Sequence, residues 1–392
     1  MDLTASFQID PEAAWVREHN AEARAVVEAW RADRPIRVPL LVADSFASHG
    51  IYADAAPVDY RRYYAEPEEM IRVQLEAARL RRELPIGDTL LGELPPVWKV
   101  ISDFWPVPSP GWLGCRLLLR EKTVIAHQPL ALSRRECDAQ PMPDPERGGL
   151  LATIVSFREA IAERCRDGLS FLGRPVELDP ACVDHYGVLA MALDVRGHEF
   201  LADLYDEPDW ARAFLLKMAE WCDALERVWK NGSPPRYFRN TDHGIDMLSP
   251  ATYEQFIVPL IVEMNRRRGT GLPTGLHHCG RGAHLFPVIK KHFPLQRLDD
   301  LAVPTNDLAA VRRAVGDEVW IKAELDAGLV QAGPPERISQ AVKDVLIPAA
   351  KGRGRLAMSA GDLMPGTPLA HRIAYYEAVK EFGTYAPGGA RN

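Results

Sequence analysis

Two histidines and a cysteine stand together at His277-His278-Cys279, closing an apolar run that opens at Leu272 and leads into Gly280-Arg281. In an extended chain, residues two apart point the same way, so His277 and Cys279 share a face and His278 turns from it. Imidazole and thiolate suit zinc, but a zinc site needs at least three protein donors. Taken alone, the stretch reads equally well as a core histidine beside an inert buried cysteine. Its weight comes from what neighbouring elements bring to the same place.

From Pro235 onward the pattern is regular. Five short apolar runs, 237–242, 272–279, 295–300, 319–325 and 355–361, each end in polar residues and lead into a segment of helical period. The expected helices cover 250–268, 283–291, 308–315, 335–349 and 368–382, and Ser249-Pro250 and Thr367-Pro368 are N-cap-plus-proline starts. Strand–helix alternation of this length builds a parallel sheet covered by helices. Strands near Val38 and Val176, with one more hidden in the first half, bring the count to about eight. The expected fold class is therefore α/β, a (β/α)8 TIM-type barrel. A doubly wound sheet is the alternative, but no Gly-x-Gly-x-x-Gly turn or P-loop supports a nucleotide-binding version.

The first half is less regular. Asp10-Pro11 starts an amphipathic helix, so residues 1–34 read as an N-terminal helical extension, and a second helix covers 67–83. Residues 84–145 read as a loop and hairpin insertion carrying Trp98, Phe104, Trp105 and Trp112, with strands at 115–119 and 122–127. Aromatic packing under a long loop is the simpler account of this layer, and a lid over a pocket the sharper one. Helices follow at 150–167, from Tyr186, and from Glu207 to Lys230. On this reading residues 1–392 form a single barrel domain.

Composition sets the outer bounds. A chain of 392 residues, 47% hydrophobic and 26% charged, has material for a large core. The net charge of −7 and the lack of a basic face argue against nucleic acid as a partner. No apolar run approaches the roughly 20 residues that span a bilayer, and the N-terminus shows no secretory signal, so no membrane association is expected. Six scattered cysteines without paired spacing fit reduced thiols, and the expected location is cytoplasmic. Assembly into a homo-oligomer is compatible with all of this.

In a (β/α)8 barrel the active site lies at the C-terminal ends of the strands. Those ends carry Asp242-His243, His277-His278-Cys279, Asp299-Asp300, Glu324 with Asp326, and the stretch from Ser359 to Asp362. Any one of them is explicable as a cap or turn residue, Asp326 and Asp362 above all. Their convergence on one rim is the signal, and two chemistries fit it. In the first, His277, Cys279 and one carboxylate hold zinc with an open position, to keep a substrate thiol ionised or to activate water. In the second there is no metal, and acids and histidines, His278 among them, bind and protonate an anionic intermediate, as a decarboxylation requires. His185, Tyr186 and Arg281 are the candidate holders of a carboxylate there.

These residues also resemble a known family. Asp242-His243-Gly244 with Leu248-Ser249-Pro250, Tyr253 and Pro259, then His277-x-Cys279-Gly280, Leu298-Asp299-Asp300, Glu324-Leu325-Asp326 with Gly333-Pro334-Pro335-Glu336, and Ser359-Ala360-Gly361 through Thr367-Pro368 run in the order of the uroporphyrinogen decarboxylase superfamily. Weaker similarity reaches back over Arg196-Gly197 and Asp206-Glu207-Pro208. The His-x-Cys-Gly element is similar to the zinc-dependent corrinoid and coenzyme-thiol methyltransferases of that superfamily. The arginine-rich N-terminal signature of the porphyrinogen decarboxylases is absent around Val38–Phe46, which argues against a tetrapyrrole substrate. The methyltransferases take their third ligand from a cysteine after the last strand's glycine. Here Asp362 follows Gly361, and no cysteine lies beyond Cys279.

The resemblance therefore implies a zinc-dependent methyltransferase-like enzyme acting on a small methylated substrate, corrinoid or thiol. Metal ligands would be His277, Cys279 and Asp362, with Glu324 the other carboxylate for the third place. Asp242, His243 and Glu324 would act as acid, base or orienting groups. His185, Tyr186, His278, Asp300 and Arg281 would contact substrate, and a corrinoid protein would be the partner. A metal-free decarboxylase or lyase acting on a non-porphyrin carboxylate is the alternative, and a non-enzymatic corrinoid- or ligand-binding barrel a third.

Overall fold

The computed structural model describes residues 8–42, 58–120, 124–179, 185–229, 239–241, 243–349, 354–361, 363–364 and 366–385. Eight strands lie in two sheets and pair with one another in parallel. We number them β1 (Leu40–Leu41), β2 (Trp98–Val100), β3 (Arg174–Leu178), β4 (Arg239–Thr241), β5 (Gly275–His277), β6 (Arg297–Val303), β7 (Trp320–Leu325) and β8 (Leu356–Ser359). The main sheet runs β1-β8-β7-β6-β5-β4, with every pairing parallel, and β2 pairs parallel with β3. Each step in the main sheet from β4 to β8 is a strand, a helix on the outside and a return. This is the α/β layering of a (β/α)8 barrel. Among the described residues the seams β1–β2 and β3–β4 carry no ladder. The strand that the sequence left hidden is β2.

Burial explains why these segments are strands. All four residues of β8 are buried, as are Ile321, Ala323, Glu324 and Leu325 of β7. A strand covered on both faces needs apolar side chains throughout, not an alternation. The outer helices form where caps and spacing agree. Asp307 caps Leu308–Val315 by accepting from the N–H groups of Ala309 and Ala310, and Ser249 accepts from Thr252 ahead of Pro250. The expected continuous helix over 250–268 is interrupted: a π-turn at Tyr253–Ile257 separates Pro250–Thr252 from Val258–Arg268. Pro259 is the cause we assign. It has no N–H to give to Gln255, and its ring would press on that carbonyl in a regular helix.

The N-terminal helix (Ala14–Arg31) sets Trp30 edge-on to Trp320, the first residue of β7, with ring centres 5.1 Å apart. Behind it Arg37 makes a buried, two-pronged ion pair with Asp88 at 2.6 and 2.9 Å. In the 84–145 segment, the hairpin pairs Arg116–Leu118 with Ala126–Gln128, and a capping box of Ser133 and Glu136 starts the helix Arg134–Ala139. Trp98 and Trp112 are core residues. Their indole N–H groups donate to the carbonyls of Phe171 and Asp144, while Trp105 is exposed. These two tryptophans hold the layer down. Among the described residues no helix is long and apolar enough to cross a membrane.

Candidate metal centre

Strand β5 ends at His277, earlier than the sequence reading required. Strand alternation therefore does not place Cys279; the turn after the strand does. His278 is buried with its ring against Gly282 and Gly280: a Cβ on Gly282 would lie 2.5 Å from it. Asn306, also buried, donates to the Gly280 carbonyl and accepts from the Ala283 N–H, each at 2.9 Å. Those two clamps leave Cys279 exposed on the rim with its Sγ 3.9 Å from His243 Nδ1.

His243 arrives from the other side, just past β4. Its backbone N–H donates to the Tyr186 carbonyl at 2.9 Å, and the Tyr186 ring meets the imidazole edge-on at 4.8 Å. The rings of His243 and His277 lie 5.2 Å apart. One ligand atom each of His243, His277 and Cys279 lies within 4.8 Å of the others. Ligands on tetrahedral zinc sit about 3.3–3.6 Å apart, given metal bonds of about 2.0–2.3 Å, so modest side-chain rotation closes the set. Two imidazoles and one thiolate are a donor set that fits zinc, with a coordination position left over.

A carboxylate stands behind His277. Asp300 Oδ2 lies 2.8 Å from His277 Nδ1, and Asp300 Oδ1 lies 2.6 Å from Lys322 Nζ. Burial alone would push the Asp300 carboxyl up. The hydrogen bond from His277 and the charge of Lys322 outweigh it and hold the group below the usual carboxylate range. An ionised carboxylate only accepts, so His277 Nδ1 carries the proton and Nε2 is left to face a metal.

A β-bulge makes this possible. Ile321 pairs with Leu298 and Ala323 with Leu301, so Asp299 and Asp300 together oppose the single residue Lys322. Asp300 takes up the extra residue at φ 60°, in the left-handed region that aspartate tolerates better than most side chains. Without the bulge two successive aspartates would point to opposite faces in fixed alternation. With it, Asp300 is turned onto His277 while Asp299 bonds Arg297 at 2.7 Å.

The remaining sequence candidates fall as follows. Asp242 and Asp362 lie outside the described residues. Glu324 is buried on β7 opposite Ser359 and is not part of the three-residue cluster. His185 is buried 3.0 Å from Glu226 and accepts from the Gly187 N–H, so it anchors the backbone beside Tyr186. His278 faces the interior, and Arg281 is exposed. Asp326 accepts from the Leu329 N–H at 2.8 Å and is a helix cap. Asp326→Ala is therefore expected to cost about 1 kcal/mol in urea unfolding and to leave metal binding unchanged. A change in zinc affinity would show instead that Asp326 belongs to the site.

Sequence reasoning missed Lys322 and Asn306. For Lys322 a signal existed: a lysine two residues before Glu324 inside an otherwise apolar strand. Asn306 had none, since its role depends on a loop from another unit.

Comparison with known proteins agrees with the fold. Residues 189–382 match the family model described as Uroporphyrinogen decarboxylase (URO-D). A uroporphyrinogen decarboxylase of Coxiella burnetii is 27% identical over 187 residues, covering 46% of this chain and 50% of that protein. A uroporphyrinogen decarboxylase of Yersinia pestis is 26% identical over 256 residues, covering 63% of this chain and 68% of the relative. The chain thus spans half the length of the first relative and about two thirds of the second. A methyltransferase from Methanosarcina mazei superposes with a TM-score of 0.61 at 15% identity, over 92% of this chain and 98% of its own.

Proposed function

We propose that this chain, which is similar to the uroporphyrinogen decarboxylase family over residues 189–382, is a zinc-dependent, methyltransferase-like enzyme of that superfamily whose metal is held by His243, His277 and Cys279. The observation that carries this is the convergence of those three donors with Asp300 set behind His277. His243 takes the third place for which the sequence offered Asp362 or Glu324. Zinc bound there would act as a Lewis acid that keeps an acceptor thiol ionised near pH 7.

The chain's own residues prepare the site. Asp300 accepts the Nδ1–H of His277 and fixes which nitrogen faces outward. Tyr186 steadies the His243 ring from its edge and, through its carbonyl, the backbone below it. Cys279 supplies the thiolate, and its exposure leaves this face open to a small methylated substrate or to a large carrier. A corrinoid on a separate protein, which the family resemblance implies, is the carrier proposed, and the exposed face at Cys279 has room to receive it.

The first test is zinc per chain by elemental analysis on protein purified without chelator. About one zinc, retained through dialysis, supports the reading. No zinc, even after it is supplied, overturns it in favour of a metal-free decarboxylase or lyase on the same rim. The names of the curated relatives favour that second reading.

A further inference from the structure

We propose that Lys322 is a positioning residue for the metal centre: through Asp300 it fixes the tautomer and the aim of His277. The proposal rests on the zinc reading above and adds a residue that neither sequence nor resemblance singled out.

The geometry is a three-membered chain. Lys322 Nζ holds one oxygen of Asp300 at 2.6 Å, and the other oxygen holds His277 Nδ1 at 2.8 Å. All three are partly buried: side-chain exposure is 22% for Lys322 and 13% for each of the others. Lys322 also sits at the one position that faces the bulge, directly opposite Asp299 and Asp300. A bulged residue is left out of the strand's regular pairing and alternation, so the ladder does not fix where the Asp300 carboxylate points. The ammonium holds one oxygen of that carboxylate while the other meets His277 at the end of β5.

A purely structural account is available. A lysine–aspartate pair across neighbouring strands would also tie β6 to β7 where the ladder is irregular. The two accounts separate experimentally. If the pair is only a tie, replacing Lys322 costs stability and leaves His277 unaffected. If it positions His277, the replacement changes the ring's tautomer even before metal is added. Outer partners of metal-bound histidines change metal affinity by about 10- to 100-fold when removed.

The experiment uses the full chain with Lys322→Met and Lys322→Arg. In metal-free protein at pH 8, long-range proton–nitrogen NMR of the histidine rings reads the tautomer of His277, assigned with His277→Gln. Chelator competition then reads zinc affinity, and thermal melting of the metal-free proteins reads stability. Expected are a single Nδ1–H tautomer in the parent, a tautomer mixture and a zinc affinity lower by about tenfold or more in Lys322→Met, and recovery of most of both in Lys322→Arg. An unchanged His277 tautomer in Lys322→Met overturns the proposal, whatever happens to melting. Should the parent bind no zinc, the metal reading falls, while the tautomer comparison still decides whether Lys322 sets the ring. Lys322→Arg guards against misfolding of the methionine variant: a folded arginine variant with a mixed tautomer would equally count against it.

Discussion

His243→Ala is expected to lower zinc affinity on the order of 10²-fold and to bring zinc-dependent turnover to background, as severely as Cys279→Ser or His277→Ala. The magnitude follows from the share of one ligand. Zinc in a four-ligand protein site is worth roughly 10–16 kcal/mol, so each donor carries about 3 kcal/mol, or two decades in affinity. The residue matters because the sequence placed it elsewhere, as an acid, base or orienting group. Its ring lies 5.2 Å from His277 and its Nδ1 3.9 Å from the Cys279 thiol, within the space of one small cation. The measurement is zinc affinity by chelator competition, with turnover read on any methyl donor the parent accepts. A His243→Ala protein that loses activity yet binds zinc as tightly as the parent would make His243 an acid or base after all. The third ligand would then have to be sought elsewhere, at Glu324 or Asp362.

The second large effect concerns stability and lies far from the rim in sequence. Asp88→Ala is expected to destabilise the fold by about 3–5 kcal/mol, enough to shift a urea midpoint by more than 1 M at an m-value of about 2 kcal/mol/M. The Asp88 side chain is fully buried, and four donors depend on it. Two are the guanidinium nitrogens of Arg37; the others are the Leu40 N–H at 2.7 Å and the Tyr376 hydroxyl at 3.1 Å. Removing the carboxylate strands a buried charge and two neutral donors. Glu22, 2.7 Å from Arg37, offers partial relief and sets the lower end of the range. Because Leu40 begins β1 and Tyr376 lies on the helix Leu369–Phe382, this one carboxylate ties the first strand to the last helix. A loss below 1 kcal/mol would mean that Glu22 or water replaces it.

Much of this architecture was legible because it rests on local signals. The runs at 295–300, 319–325 and 355–361 became β6, β7 and β8, and the helices Leu308–Val315 and Pro335–Ala349 have the expected limits. Caps and periodicity are written in neighbouring residues, so they survive the absence of a structure. The candidate site was legible only as a set of strand ends. His277 and Cys279 do come together, but through a turn clamped by Asn306 and the packing of His278 on Gly282, not through strand alternation. The partnership of Asp300 with Lys322 and His277 depends on a bulge, and a bulge is a relation between two strands. No pattern along one strand records it.

That bulge has a historical side as well. Leu301 and Val303 beyond it are buried, as Leu298 before it is, so the strand resumes its packing after the extra residue. The loss or gain of one codon at Asp299–Asp300 is then a change that the hydrophobic core barely registers. It would decide whether a carboxylate stands behind His277. A single-codon event of this kind is a short path by which a scaffold gains or loses the carboxylate behind His277 without being rebuilt.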